Sequence, residues 1–168
     1  TFEEIATTKN CRAVILRGEG KHFCAGADLQ WMKDSQKLSE EENLQEALQL
    51  SRLLQELKSI PRPVIGLVQG CAYGGGVGLL AACDIVIASQ GARFCLSEVK
   101  LGLIPSVIYP FLSARMTESK LLYYGLSAKV FGASEAYQCG FVDVLTQESL
   151  FEACKKELEK FKNTELNL

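Results

Sequence analysis

Gly74-Gly75-Gly76, set between two β-branched apolar runs, constrains the fold more than any other feature of this sequence. Pro63-Val64-Ile65-Gly66-Leu67-Val68 reads as a buried strand, and residues 70–76 as a loop opening a small-residue helix that ends at Ala82. Asp84-Ile85-Val86-Ile87-Ala88 then reads as a second buried strand. Two strands this apolar, joined through a helix, must run parallel with both faces covered, which predicts an α/β fold.

The rest of the chain fits that class. Arg12-Ala13-Val14-Ile15-Leu16-Arg17 is a short strand closed by Gly18-Glu19-Gly20. From Ser39 to Leu57, Leu44, Leu48, Leu50, Leu53, Leu54 and Leu57 recur at helical spacing. Ser39-Glu40-Glu41-Glu42 places acidic residues where a helix N-terminus favours them, and Pro61 and Pro63 stop the helix. Beyond the second buried strand lie a short extended piece at Arg93-Phe94-Cys95-Leu96 and helices around Ile108 to Met116, Ser119 to Tyr124 and Ser134 to Cys139. A strand over Phe141 to Leu145 and an amphipathic helix from Glu148 to Lys162 close the pattern. With 168 residues, no internal repeat and no linker, the expectation is one domain over residues 1–168.

Charge and cysteine usage exclude several function classes. Eighteen Lys and Arg against twenty Asp and Glu leave a net charge of −2 without like-charge blocks, so bulk electrostatics points to no nucleic-acid or membrane partner. No apolar run approaches the ~20 residues that span a bilayer. The seven cysteines are odd in number, sit mostly in apolar runs and include no C-x-x-C pair. Free thiols in a reducing compartment are expected, and with His22 as the one imidazole no metal site is predicted.

Two loops are rich in small residues: Lys21 to Asp28 after the first strand, and the triple-glycine loop. Small residues let a ligand approach the backbone closely. The triple glycine lacks the spacing of G-x-G-x-x-G and of a P-loop, and on its own it reads as a tight turn with close helix packing. Two such loops, each able to present an N–H, raise the alternative of an oxyanion hole, where each donor lowers a barrier by about 3 kcal/mol.

Ala25-Gly26-Ala27-Asp28, Tyr73-Gly74-Gly75-Gly76, Cys83-Asp84-Ile85-Val86, Leu96-Ser97-Glu98 and Gly102-Leu103-Ile104-Pro105 occur in this order. Together, from about Arg12 to Leu145, they resemble the crotonase (enoyl-CoA hydratase/isomerase) superfamily. The resemblance implies an α/β spiral of ββα units with helices packed on the sheets, with the family's flanking segments absent from this chain, which is then a domain core excerpted from a longer one. It implies an acyl-CoA thioester as substrate, coenzyme A entering as part of it, no prosthetic group, and a homotrimer or hexamer at full length. Carried over by position, the oxyanion would be held by the N–H groups of Ala27 and Gly75, and Glu98 would be the general acid/base. Ala25, Gly26, Asp28, Leu29, Tyr73, Gly74, Ser97 and Ser106 would line the acyl-CoA path.

Two departures bear on the chemistry. Family members that add water commonly hold it between two glutamates, and the position of the first is Gly78 here. A Gly-Ala-Gly run normally follows Ile-Pro, where this chain has Ser106-Val107-Ile108. Both departures resemble the methylglutaconyl-CoA and carboxygeranoyl-CoA hydratase subgroup, as does Gly-Lys-His-Phe-x-Ala-Gly-Ala-Asp-Leu-x-Trp-Met in the first loop. That likeness implies hydration of a branched or dicarboxylic 2-enoyl-CoA. A Δ3,Δ2-enoyl-CoA isomerase using Glu98 alone, a silent acyl-CoA-binding domain, and a dehydratase acting on carrier-protein thioesters are the rival readings.

Other candidates keep two readings at this stage. Asp28 is either a ligand contact or a turn or cap residue, and Ser106 either a substrate contact or a helix N-cap. His22 is either a site residue or a turn residue, and Trp31 and Met32 either pocket wall or core. Cys24, Cys71 and Cys95 fall near the expected site without a neighbouring histidine, so no thiolate nucleophile is predicted. A soluble protein of a bacterial cytosol or a mitochondrial matrix is expected.

Overall fold

The computed structural model describes residues 4, 5, 8, 10–26 and 38–160. Two sheets organise them. Strands β1 (Val14–Arg17), β2 (Val64–Val68), β4 (Ile85–Ser89) and β7 (Val144–Thr146) form a parallel sheet in the order β1-β2-β4-β7. Strands β3 (Cys71–Tyr73), β5 (Arg93–Cys95) and β6 (Phe131–Gly132) form the second, with β3 and β5 parallel and β6 antiparallel to β5.

The chain alternates between the sheets. β2 leads into β3 and β4 into β5, so each winding lays one strand in each layer, and β3 runs on into helix α2 (Gly75–Ala82). This is the ββα winding that the sequence implied. The completely buried β2, Val-Ile-Gly-Leu-Val, is covered on both faces as its unbroken apolar run requires.

Helix α1 (Glu40–Lys58) starts at Ser39, whose hydroxyl accepts from the Glu42 N–H at 3.3 Å while the Ser39 N–H donates to Glu42 Oε2 at 2.8 Å. This capping box satisfies donors that the first turn would leave open. Of the leucines at helical spacing, Leu54 and Leu57 are buried against the core, whereas Leu44, Leu48 and Leu53 are exposed among the described residues.

Two expectations are corrected and one strand is added. Residues 70–76 are not loop throughout: Cys71–Tyr73 is β3, too short and too mixed to show alternation. β6 is a two-residue strand that no pattern announced. The last strand begins at Val144 rather than Phe141, because buried Phe141 and Val142 form the turn entering it and their N–H groups donate back to Ala136.

Helices α3 (Tyr109–Ser113), α4 (Glu118–Ser127) and α5 (Ala133–Gln138) follow a 3₁₀ turn at Glu98–Leu101, and α6 (Leu150–Lys160) packs on β2 and β4. One core cluster runs from Leu54 and Leu57 through Val77 and Leu80 to Phe94, Phe131 and Phe141. A smaller one, with Ile65, Leu67, Ile87, Ala153 and Cys154, lies beneath α6. No described helix is long and apolar enough to cross a membrane.

Candidate active site

Three parallel segments of the second sheet end at the same edge. Cys24 pairs in parallel with Ala72, its N–H donating to the Cys71 carbonyl at 2.9 Å and its carbonyl accepting from Tyr73 N–H at 3.0 Å. β3 pairs in parallel with β5, Tyr73 standing opposite Cys95. The residues that leave these ends, Ala25-Gly26, Gly74-Gly75 and Leu96-Ser97-Glu98, are therefore delivered side by side. C-terminal ends of parallel strands are where such folds place ligands.

Gly74 makes the sharp turn, at φ 52° and ψ −123°, a backbone open to glycine and costly for other residues. Its N–H donates to the Cys95 carbonyl at 2.9 Å, tying the turn to the end of β5. The first N–H groups of α2 have no intrahelical acceptor and carry the positive end of the helix dipole. A side chain built on Gly75 would meet nothing within 4 Å among the described residues, which leave this backbone uncovered.

Glu98 opens the 3₁₀ turn, which Gly102 ends in the left-handed conformation. Its Oε1 lies 3.6 Å, and Ser97 Oγ 3.2 Å, from where a Gly74 Cβ would stand. Glu98 Oε2 is buried with no hydrogen-bond partner among the described residues. Burial raises the Glu98 pKa, against a smaller lowering by its own backbone N–H. A half-buried carboxyl with one oxygen unpartnered among the described residues, beside a helix N-terminus, is suited to holding and releasing a proton.

The structure also shows what stands at Gly78, one turn beyond Gly75. A Cβ there would lie 2.3 Å from Ile108 Cγ2, 3.0 Å from Ile108 Cβ and 3.7 Å from Leu54 Cδ1. The two departures read from the sequence are thus one packing event: Ile108, fully buried, fills the space a side chain from residue 78 would enter. Nothing local could announce that pairing, since thirty positions separate the two residues.

Among the remaining candidates, Ala27, Asp28, Leu29, Trp31 and Met32 lie outside the described residues. Ala25 is exposed and Gly26, at φ 110°, approaches Tyr73 Cβ, so the first loop reaches the same edge. Tyr73 leaves β3 on the face it shares with Cys71, whose side chain pushes the phenol up to about 12. Ser106 is exposed, and α3 takes Ile108 as its N-cap with no side-chain bond, so Ser106 is not the cap. His22 Nδ1 accepts from the Cys71 N–H at 3.1 Å and thereby holds a turn. Cys83, Cys95, Cys139 and Cys154 are buried free thiols, and burial raises all four; Cys11, Cys24 and Cys71 are half-buried. No group of three metal-ligating side chains occurs among the described residues.

Asp84, by contrast, is a structural part of its motif. Its Oδ2 accepts from the Val64 N–H at 2.9 Å, its N–H donates to the Val64 carbonyl at 2.8 Å, and Lys58 pairs with its Oδ1 at 2.9 Å. It fixes where β2 and β4 begin, and through them the edge on which the site sits.

Comparison with known proteins agrees with this geometry. The sequence profile of the enoyl-CoA hydratase/isomerase family matches residues 1–166. A crystal structure of an enoyl-CoA hydratase from Shewanella pealeana superposes with a TM-score of 0.91 at 40% identity, over 95% of this chain and 60% of that one. The enoyl-CoA hydratase ACTT6 of Alternaria alternata is 31% identical over 158 residues, 94% of this chain and 51% of its own length. The bacillaene synthase dehydratase PksH of Bacillus subtilis is 36% identical over 143 residues, 84% of this chain and 54% of its own. This chain thus spans about half the length of these two relatives. Profile, fold and the meeting of two small-residue loops with Glu98 agree: the chain belongs to the enoyl-CoA hydratase/isomerase family.

Proposed function

We propose that the protein of which residues 1–168 form a domain core is an enoyl-CoA hydratase, adding water reversibly to a branched or dicarboxylic 2-enoyl-CoA such as methylglutaconyl-CoA. The observation that carries this reading is the Glu98 carboxyl beside the Gly74 turn, its Oε2 buried and unpartnered among the described residues. The N–H groups of Ala27 and Gly75 hold the thioester oxygen as it gains negative charge. Glu98 takes a proton from water as the water oxygen bonds to C3, and the proton passes to C2 of the enolate, leaving the 3-hydroxyacyl thioester. Ala25, Gly26, Asp28, Leu29, Tyr73, Gly74, Ser97 and Ser106 line the path of the acyl-CoA, coenzyme A being part of the substrate. The full-length protein works as a homotrimer or hexamer in a bacterial cytosol or mitochondrial matrix.

A second reading has its own support. With Ile108 closed over Gly78, Glu98 is the one carboxyl that the described residues bring to the glycine turn, and one carboxyl is sufficient to move a proton between C2 and C4. That is the chemistry of a Δ3,Δ2-enoyl-CoA isomerase. Both readings are tested by incubating the full-length protein and Glu98→Gln with methylglutaconyl-CoA and a straight-chain 3-enoyl-CoA in ¹⁸O-water. Label entering the first substrate, and lost in the variant, is the expected result. A shifted double bond without label makes the protein an isomerase, and binding without turnover of either makes it an acyl-CoA-binding protein.

A further inference from the structure

One side chain, that of Cys24, contacts both the first loop and the first turn of α2. Cys24 is the last paired residue before the first loop, its backbone bonded to Cys71 and Tyr73 of the strand that leads into the second. Its side chain turns toward α2. A Cβ on Gly76 would stand 2.5 Å from Cys24 Cβ and 2.9 Å from Cys24 Sγ, so the Cys24 side chain lies directly on the backbone of the first helical turn. The thiol also points back at the Gly26 carbonyl, 3.9 Å away. Cys24 therefore touches both loops, Gly26 on one side and Gly76, next to Gly75, on the other.

We propose that Cys24 is a positioning residue, whose side-chain volume sets the distance between the first loop and the N-terminus of α2 and so the geometry in which their N–H groups meet the thioester oxygen. This rests on the hydratase reading above, which places the oxyanion in that gap. The chemistry is one of size rather than of sulfur reactivity. Serine keeps an atom at the γ position, smaller than sulfur and on a shorter bond; alanine leaves that position empty; valine carries two γ carbons where Gly76 leaves room for one. Donors displaced by a fraction of an ångström lose much of their effect, because the hole works through fixed hydrogen-bond distances.

The test uses the full-length protein with an enoyl-CoA whose conjugated aromatic tail shifts its absorption to the red when the thioester carbonyl is polarised, together with kcat and KM on the turned-over substrate. Cys24→Ser should keep both the red shift and kcat within about threefold. Cys24→Ala should lower kcat about tenfold and Cys24→Val about a hundredfold, each with a smaller red shift and with KM changed less than threefold. A wild-type red shift that persists unchanged in Cys24→Ala and Cys24→Val overturns the spacer role while leaving the hydratase reading intact. A wild-type protein that gives no red shift removes the oxyanion hole itself, and the spacer role with it.

Discussion

At the scale of single residues, Glu98 is held at a cost, the burial of its carboxyl, that the proposed general acid/base role accounts for. Its folded pKa is raised by burial, so between the ordinary carboxylate range and that raised value the folded protein keeps a proton which the unfolded chain has lost. Stability therefore falls as pH rises through that window and stays lower above it. Glu98→Gln removes the titration: thermal melts should show it more stable than wild type at neutral pH, the gap closing below about pH 4. The same variant should lose about 10²–10⁴ in kcat, the usual worth of a general acid/base. A less stable variant at neutral pH would mean that the carboxylate has a partner outside the described residues. Gly78 gives an opposite case. Alanine in a helix interior is ordinarily preferred to glycine by about 1 kcal/mol, but here the new methyl would meet Ile108 Cγ2 at 2.3 Å. Gly78→Ala should instead cost about 1–3 kcal/mol in urea unfolding, and Ile108→Ala about 2–5 kcal/mol. The double variant should cost less than the sum by about 1–3 kcal/mol, since each change makes room for the other.

At the scale of elements, the two central strands of the first sheet, β2 and β4, are started by acids rather than by turns. Asp143 Oδ2 accepts from the Val86 N–H at 2.7 Å and pairs with Arg115, whose Nη1 donates to the Cys83 carbonyl at 2.7 Å. Asp84 does the same for β2. Asp143→Ala would leave the mostly buried Arg115 without its carboxylate and Val86 without an acceptor, and should cost about 2–4 kcal/mol by denaturant melts. This arrangement also shows what was legible in the sequence. β1, β2, β4, α1 and α6 were readable because each is long enough for a period or an unbroken apolar run to show. β3 and β6 were not, because two or three residues carry no period, and their pairing is with strands some twenty to forty positions away. The start of β7 was misplaced for a related reason: Phe141 and Val142 look like strand but are buried in the turn that Asp143 anchors. At the site, Glu98 and the glycine turn were readable as motifs, whereas Ile108 over Gly78 and Cys24 against Gly76 are tertiary contacts with no local signature.

At the scale of the whole molecule, the second sheet is too small to stand alone. Its three strands hold two or three residues each, and what makes it a firm support for the site is the aromatic cluster packed on its inner face. Phe94 of β5 stacks on Phe131 of β6 with ring centroids 5.5 Å apart and meets Phe141 edge-on at 5.4 Å, while Tyr124 of α4 lies 4.0 Å from Phe131. The strand, its antiparallel partner, the turn at Phe141 and helix α4 are thus joined around Phe94, four residues before Glu98. Phe94→Ala should cost about 3–5 kcal/mol, a large part of the roughly 5–15 kcal/mol that holds a domain together. Because Phe94 also fixes the end of β5 from which Ser97 and Glu98 emerge, the loss should not be confined to stability. Scaling kcat to the folded fraction, measured in parallel by near-ultraviolet circular dichroism, should still leave Phe94→Ala at least tenfold below wild type, with Phe94→Leu between them. If activity per folded molecule is instead unchanged, the loops hold their own geometry and the core contributes only to folding. If it falls, the position of the carboxyl is set by the packing beneath it.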